Sequence, residues 1–222
     1  RALKARRCYG TPGQQIRLEV TADEWPMGTE FTAGEPPEIR VQVWGTAPIE
    51  RVDVFRGLQQ VYSYPEKVVR DEDRVRVAWS GQRIRARNRL VRWDGGLSLD
   101  QGKILSATDY AFDSASEGIA ETSEQSVTWQ SVTTGDADGV VLELDAPDDA
   151  LLSFDTPVVQ HTVSLGEIAA GPVVVEAGGI DIQVVFEREP LGVGSEVEFC
   201  FQEEELPAGC HPYWVRVVQT DG

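Results

Sequence analysis

Residues 39–64 read IRVQVWGTAPIERVDVFRGLQQVYSY, and this stretch decides the fold expected for the chain. Apolar and polar side chains alternate from Ile39 to Trp44, which is the period-two pattern of a half-buried strand. The following GTAP has the composition of a turn, and the alternation then resumes. A short Arg56-Gly57 connection predicts a tight hairpin into a third strand. Three strands joined in this way are typical of an antiparallel sandwich.

The rest of the chain extends the same pattern. The 222 residues are 41% hydrophobic, so we expect a packed core. About a dozen short alternating runs are separated by Gly-, Pro- and Asp-rich turns, which predicts an all-β fold. Residues 1–8 are good helix formers that stop at Gly10, and we expect them to be a short helix remnant; no later stretch is typical of a helix.

The strand pattern also predicts two sandwich units. The segment Trp79-Ser80-Gly81 ends one set of strands, and residues 195–219 resume the earlier alternation of valine and aromatic residues. We therefore expect residues 14–81 and 192–222 to form one Ig-like sandwich. Residues 82–191 would be a second antiparallel sandwich inserted into it, and residues 1–13 would be the end of a preceding domain.

Charge limits the partners of the chain. The net charge of −17 argues against binding to nucleic acid or to anionic membranes. No apolar run approaches the ~20 residues of a transmembrane helix. Residues 70–92 differ from the rest, because they carry eight arginines against three acids.

The arginines of this basic region are regularly spaced. Residues 82–93 alternate small or apolar residues with arginine, which predicts a long strand with four arginines on one face: Arg83, Arg85, Arg87 and Arg89. That face is either a solvent-exposed surface or a docking face for an acidic surface or an anionic ligand.

Metal-binding and catalytic patterns are sparse. The two histidines, His161 and His211, are predicted on separate β elements, whereas a zinc site needs three or four converging ligands. The segment around Asp136 and Asp138 resembles a calcium loop only weakly, because it lacks the third acidic position and Pro147 replaces the bidentate Glu. We therefore assign no catalytic residue. Asp136 and Asp138 either belong to an ordinary turn or are weak candidates for binding calcium.

Cysteines and tryptophans favour structural roles. Three cysteines at widely spaced positions do not form a disulfide framework; Cys200 and Cys210 either pair across a hairpin or are buried thiols. The six tryptophans are mainly core candidates. Exposed tryptophans on a sandwich are, however, able to stack on sugars.

Several short motifs along the chain carry a resemblance to a known family. They are ALKARRCYGT at residues 2–11, PMG at 26–28, GTAPIERV at 45–52, WDG at 93–95, WQSVTTGD at 129–136, AGG at 177–179 and YWVRV at 213–217. Together they resemble a family of uncharacterised bacterial proteins related to PHP (polymerase and histidinol phosphatase) metallohydrolases. The resemblance implies that a catalytic domain precedes residue 1 and that the chain is a C-terminal β region. The histidine-rich metal motifs of PHP enzymes have no counterpart here.

Two classes of function remain open at this point. The first is a non-catalytic C-terminal module that packs on a metal-dependent hydrolase domain and shapes access to it. The second is a ligand-binding module, with carbohydrate as the expected ligand. We expect the chain itself to have no cofactor and no enzymatic activity, and its expected partner is the preceding catalytic domain of the same protein.

Overall fold

A computed structural model describes residues 2–11, 15–85, 87 and 89–221 of the chain. These residues form two compact units. Unit 1 lies within Arg1–Val69 and Pro190–Asp221, and unit 2 is Arg70–Glu189. Nearly all regular structure is antiparallel β, so the all-β class with sandwich units is confirmed.

The strands follow one another along the chain with few other elements. In unit 1 they are β1 (Arg17–Ala22), β2 (Trp25–Pro26), β3 (Ile39–Trp44), β4 (Ile49–Arg56) and β5 (Gln59–Tyr64). In unit 2 they are β6 (Arg70–Ser80), β7 (Val91–Arg92), β8 (Gly95–Leu99), β9 (Lys103–Tyr110), β10 (Gly118–Thr122), β11 (Ser126–Gln130), β12 (Val132–Thr133), β13 (Ala137–Asp145), β14 (Leu151–Asp155), β15 (Gln160–Ser164), β16 (Val173–Glu176) and β17 (Gln183–Pro190). β18 (Glu196–Phe201) and β19 (Tyr213–Gln219) return to unit 1.

Unit 1 is built from two sheets, ordered β18-β3-β1-β2 and β19-β4-β5. The predicted strand-turn-strand-hairpin stretch forms β3, β4 and β5. Val41 and Val43 of β3 and Val52 and Val54 of β4 are almost completely buried, because alternate residues of a strand point to the same face. The last strand completes this unit by pairing with β4, so that Val215 lies opposite Val54.

Unit 2 contains two five-stranded sheets, ordered β16-β17-β6-β13-β9 and β10-β11-β8-β14-β15, and a short β7-β12 pair. Five large aromatic side chains lie in its core among aliphatic residues. The side chains of Trp79, Trp93, Trp129, Phe154 and Phe186 are all at most 2% exposed.

The boundary between the units lies at residues 69 and 70 rather than at 81 and 82. β6 pairs with β13, with Val77 opposite Val140, so its inward side chains join the core of unit 2. Ser80-Gly81 therefore ends a strand but not a domain. The second boundary lies at residues 189 and 190, close to the expected 191 and 192.

The prediction of a long arginine-bearing strand at residues 82–93 is wrong. The described part of residues 81–90 contains no strand, and only Val91 and Arg92 pair, as β7; Ala86 and Asn88 lie outside the described residues. The alternation lacks a buried face, since Ile84 is only partly buried and Leu90 is 57% exposed. Period two without burial does not fix a strand.

Helical structure is limited to two short elements in the described residues. The expected N-terminal helix remnant is a single 3₁₀ turn, Leu3–Ala5. A helix that the sequence analysis missed, α1 (Leu165–Ala170), follows β15. Its start is fixed by a capping box between Ser164 and Glu167, and Leu165 and Ile168 are buried. Among the described residues, no helix is long and apolar enough to cross a membrane.

Candidate functional site

The four predicted site arginines lie on one loop of unit 2, which we call the arginine loop (residues 81–90). All four side chains are exposed: Arg83, Arg85, Arg87 and Arg89. The loop leaves the end of β6 and runs beside the turn that precedes β13, because Ser80 and Ala137 are the last pair of the β6–β13 ladder.

Backbone hydrogen bonds fix the base of the arginine loop. Gly81 N–H donates to the Asp136 carbonyl oxygen at 3.3 Å, and Gly135 N–H donates to the Gly81 carbonyl oxygen at 3.2 Å. The Thr133 hydroxyl also donates to the Gly81 oxygen. Gly135 has a φ of +106°, which favours glycine, and a Cβ there would lie 3.3 Å from the Gln82 oxygen.

An open depression of about 470 Å³ lies between this loop and the turn. It is lined by Arg83, Ile84, Arg85, Arg89, Asp113, Thr134, Gly135 and Asp136. Three of the four predicted arginines and one predicted calcium candidate therefore share one site, which the alternation along the sequence did not indicate. Arg87 is exposed on the same loop but does not line the depression.

The arginines differ in their pairing. Arg83 Nε donates to the Gly135 carbonyl oxygen at 3.1 Å and lies 3.9 Å from an Asp181 carboxylate oxygen. Among the described residues, Arg85, Arg87 and Arg89 have no ion pair within 4 Å. These three cationic groups are therefore free to meet an acidic partner.

The two calcium candidates are in different environments. The Asp136 carboxylate accepts a hydrogen bond from Thr134 N–H and lines the depression. Asp138 is fully buried in unit 2 and points with Trp79 toward the core. The structure gathers no group of three His, Cys, Asp or Glu side chains suited to a metal ion in residues 2–11, 15–85, 87 and 89–221.

Asp138 belongs to a buried hydrogen-bonded chain. The Trp79 indole N–H donates to Ser131 Oγ at 2.8 Å, and the Ser131 hydroxyl donates to Asp138 Oδ2 at 2.6 Å. Asp138 Oδ1 has no hydrogen-bond partner in the described structure. Burial, reinforced by the nearby negative charges of Asp136 and Glu117, raises the pKa of Asp138 to about 7 despite the opposing bond from Ser131.

A second organised surface lies on unit 1, and we call it the aromatic patch (Phe55, Leu58, Trp214 and Arg216). Trp214 is 45% exposed and Leu58, at the β4–β5 hairpin tip, is 99% exposed. The Phe55 and Trp214 rings are stacked, with centroids 4.0 Å apart and planes 5° apart. The Arg216 guanidinium lies 5.2 Å from the centre of the Phe55 ring.

A buried carboxylate supports the patch from below. Asp53 is 1% exposed, and its Oδ2 accepts a hydrogen bond from an Arg216 nitrogen at 2.7 Å. Arg51 Nε donates to the same oxygen at 3.3 Å, and the Ser63 hydroxyl donates to Oδ1 at 2.8 Å. These bonds fix Arg216 against Phe55. The sequence analysis missed the patch. The available signal was that Phe55 follows Asp53, and Trp214 precedes Arg216, by two residues, so that each aromatic residue shares a strand face with a charged residue.

The remaining predicted residues are dispersed. His161 lies in β15 of unit 2, whereas His211 lies in unit 1, where its Nε2 is 2.6 Å from the Pro207 carbonyl oxygen. Cys8, Cys200 and Cys210 are free and exposed, so the expectation of a disulfide or of buried thiols is wrong. Trp25 and Trp214 are exposed, and neither lines the depression described above nor one at Glu19, Thr21, Arg40 and Gln42.

Comparison with known proteins gives little functional information. No protein-family model and no solved structure match the chain. A stretch of 69 residues is 33% identical to part of an uncharacterised protein of Chlamydia pneumoniae. That match covers 28% of this chain and 11% of the Chlamydia protein. The similarity is therefore confined to 28% of this chain and to a small part of a much longer protein.

Proposed function

We propose that this chain is a non-catalytic accessory module that docks on another domain of a longer protein. The resemblance of its motifs to PHP-related proteins supports a metal-dependent hydrolase as the preceding domain. We also propose that unit 1 is Ig-like, with β18-β3-β1 and β19-β4-β5 as its opposed sheets.

The observation that carries this proposal is the arginine loop. Arg85, Arg87 and Arg89 are exposed and have no ion pair among the described residues, in a chain of net charge −17. Arginines without acidic partners contribute little to stability, so stability does not explain their clustering. A fixed loop base and free guanidinium groups suit recognition of an acidic surface.

The test is an association measurement between this chain and the separately produced preceding domain of its parent protein. Replacing Arg85, Arg87 and Arg89 with Gln should weaken association at least about tenfold at low salt, and the effect should shrink as salt rises. The matched control replaces Arg17, Lys67 and Lys103 with Gln, which removes the same charge from exposed positions elsewhere. Equal weakening in both variants, or none in either, would refute docking through the loop.

The non-catalytic part of the proposal is tested separately. A PHP-type reaction needs a cluster of His and carboxylate ligands that hold metal ions, whereas His161 and His211 lie in different units. We expect the purified chain to hydrolyse no phosphoester when Mn²⁺, Zn²⁺ or Mg²⁺ is added. Metal-dependent turnover that survives repurification and disappears in His161→Ala or His211→Ala would overturn this expectation.

A second proposed function is a ligand-binding module, with carbohydrate as the ligand. One observation favours it: Trp214 presents an exposed ring that is held in a fixed orientation. A sugar array probed with the whole chain tests it. Binding of a neutral saccharide without the preceding domain would separate this function from docking, and a fully negative array would reject it.

A further inference from the structure

The arginine loop is joined to a second turn of unit 2, the connection between β16 and β17 (residues 177–182). Arg83 N–H donates to the Ile180 carbonyl oxygen at 3.2 Å, and the Ser80 hydroxyl donates to the Asp181 carbonyl oxygen at 3.0 Å. The arginine loop and this turn therefore form one continuous surface, which we call the loop–turn face.

The turn is fixed by its own contacts. Ala177 N–H donates to the Ile182 carbonyl oxygen at 2.8 Å, which closes the turn, and the Ile182 side chain packs against the core of unit 2. Gly81 approaches the turn so closely that a Cβ there would lie 2.9 Å from the Ile182 Cα. Because its position is set before a partner arrives, binding to the turn requires little ordering of the chain.

The loop–turn face carries aliphatic side chains among its arginines. Ile180 at the turn is 58% exposed, and Leu90 at the end of the arginine loop is 57% exposed. Ile84, between Arg83 and Arg85, is only partly buried and lines the depression. Aliphatic surface left in water becomes favourable to cover when a partner binds.

The charges of this face limit the partner. Arg85, Arg87 and Arg89 have no ion pair within 4 Å among the described residues, so they repel a basic partner and attract an acidic one. Asp113 and Asp136 also line the depression. Negative charge on a partner is therefore expected over the arginines and not beside the two aspartates. A partner with acidic side chains alone would leave the aliphatic groups uncovered.

From this arrangement we propose that the loop–turn face binds an acidic segment that also carries aliphatic side chains. The carboxylates of the segment pair with Arg85, Arg87 and Arg89, and its aliphatic side chains cover Ile180 and Leu90. This assignment rests on the proposed docking function and names the chemistry of the partner surface.

The test measures binding of the whole 222-residue chain to a fluorescently labelled peptide of glutamate and leucine residues. Two comparison peptides carry serine in place of every leucine or glutamine in place of every glutamate. The glutamate–leucine peptide should bind at least about fivefold more tightly than either, because each comparison peptide lacks one of the two kinds of contact.

Variants assign the two kinds of contact to the loop–turn face. Ile180→Ser should weaken binding of the glutamate–leucine peptide at least about fivefold, and this loss should persist at high salt because an apolar contact is removed. Replacing Arg85, Arg87 and Arg89 with Gln should also weaken binding, and this loss should shrink as salt rises. The matched control is Leu105→Ser, since Leu105 on β9 is 57% exposed and lies outside the loop–turn face.

Three results would refute the assignment: equal binding of the three peptides, binding of none of them, or equal weakening by Ile180→Ser and Leu105→Ser. Docking itself is judged separately, by association with the preceding domain. If the arginine variant weakens that association and Ile180→Ser does not, the aliphatic contact is refuted and docking stands. If neither variant weakens it, both are refuted.

Discussion

Unit 1 and unit 2 use their aromatic side chains in different ways. In unit 2, three tryptophans are buried in the core, and each indole N–H has a protein acceptor: Ser131 for Trp79, Thr133 for Trp93 and the Trp93 carbonyl for Trp129. In unit 1, the most deeply buried hydrophobic residues are valines and isoleucines, and most aromatic rings are only partly buried or exposed. A buried indole needs such an acceptor, so unit 2 depends on polar positions inside its core. Unit 1 keeps aromatic surface available for contact.

The largest effect should come from removing a core indole of unit 2. Trp129 is 2% exposed and stacks on Trp79 with centroids 4.5 Å apart. Trp129→Ala should lower the free energy of unfolding of unit 2 by about 3–5 kcal/mol, because it leaves a large cavity. Trp214→Ala in unit 1 should cost only about 1–2 kcal/mol, since its ring is half exposed. Urea denaturation combined with hydrogen exchange of peptides from each unit measures both, and equal losses would contradict the comparison.

The second effect is a pH dependence confined to unit 2. Folding raises the pKa of Asp138 from 3.8 to about 7, so between these values the folded state holds a proton that the unfolded chain has lost. The free energy of unfolding should therefore fall as the pH rises from about 4 to about 7, by on the order of 4 kcal/mol. In Asp138→Asn this contribution is absent. Unfolding curves of wild type and variant that run parallel from pH 4 to pH 8 would contradict the prediction.

A smaller effect is expected from the buried carboxylate of unit 1. Asp53 accepts hydrogen bonds from Arg216, Arg51 and Ser63. Asp53→Asn should lower the free energy of unfolding of unit 1 by about 1.5–3 kcal/mol, because charge-assisted bonds are lost in a buried position. The control Glu198→Gln disrupts an exposed pair with Arg40 and should change stability little. The prediction fails if both variants unfold at the same urea concentration as wild type.

Patterns that report burial predicted the fold best. The alternation at residues 39–64 produced β3, β4 and β5 because one face of each strand contacts the core of unit 1. The same alternation at residues 82–93 failed, since none of the described residues from 82 to 90 is buried. The unit boundary was also misplaced, because a turn such as Ser80-Gly81 looks the same whether the next strand joins the same core or another.

The candidate site was only partly predictable. The four arginines were singled out from their charge, and they do lie together on one loop. The proximity of three of them to Asp113 and Asp136 depends on the contact between residues 81–83 and 133–136, which are distant in sequence. The pairing of Phe55 with Trp214 likewise depends on strand register across most of the chain. The sequence did contain a signal for α1 that the sequence analysis did not use: Ser164 is followed three residues later by Glu167, which is the pattern of a capping box.

The interruption of unit 1 by unit 2 has a consequence for the order of folding. Val43 of β3 pairs with Val197 of β18, so unit 1 closes a loop that contains all of unit 2. The two ends of unit 2 are adjacent, because the Arg70 guanidinium lies 2.6 Å from a Glu187 carboxylate oxygen. Once unit 2 has folded, the entropy of closing that loop is largely already lost, and β18 and β19 reach their partners over a short remaining distance. We therefore expect residues 70–189 to fold first, and β3 and β4 to pair with β18 and β19 only afterwards.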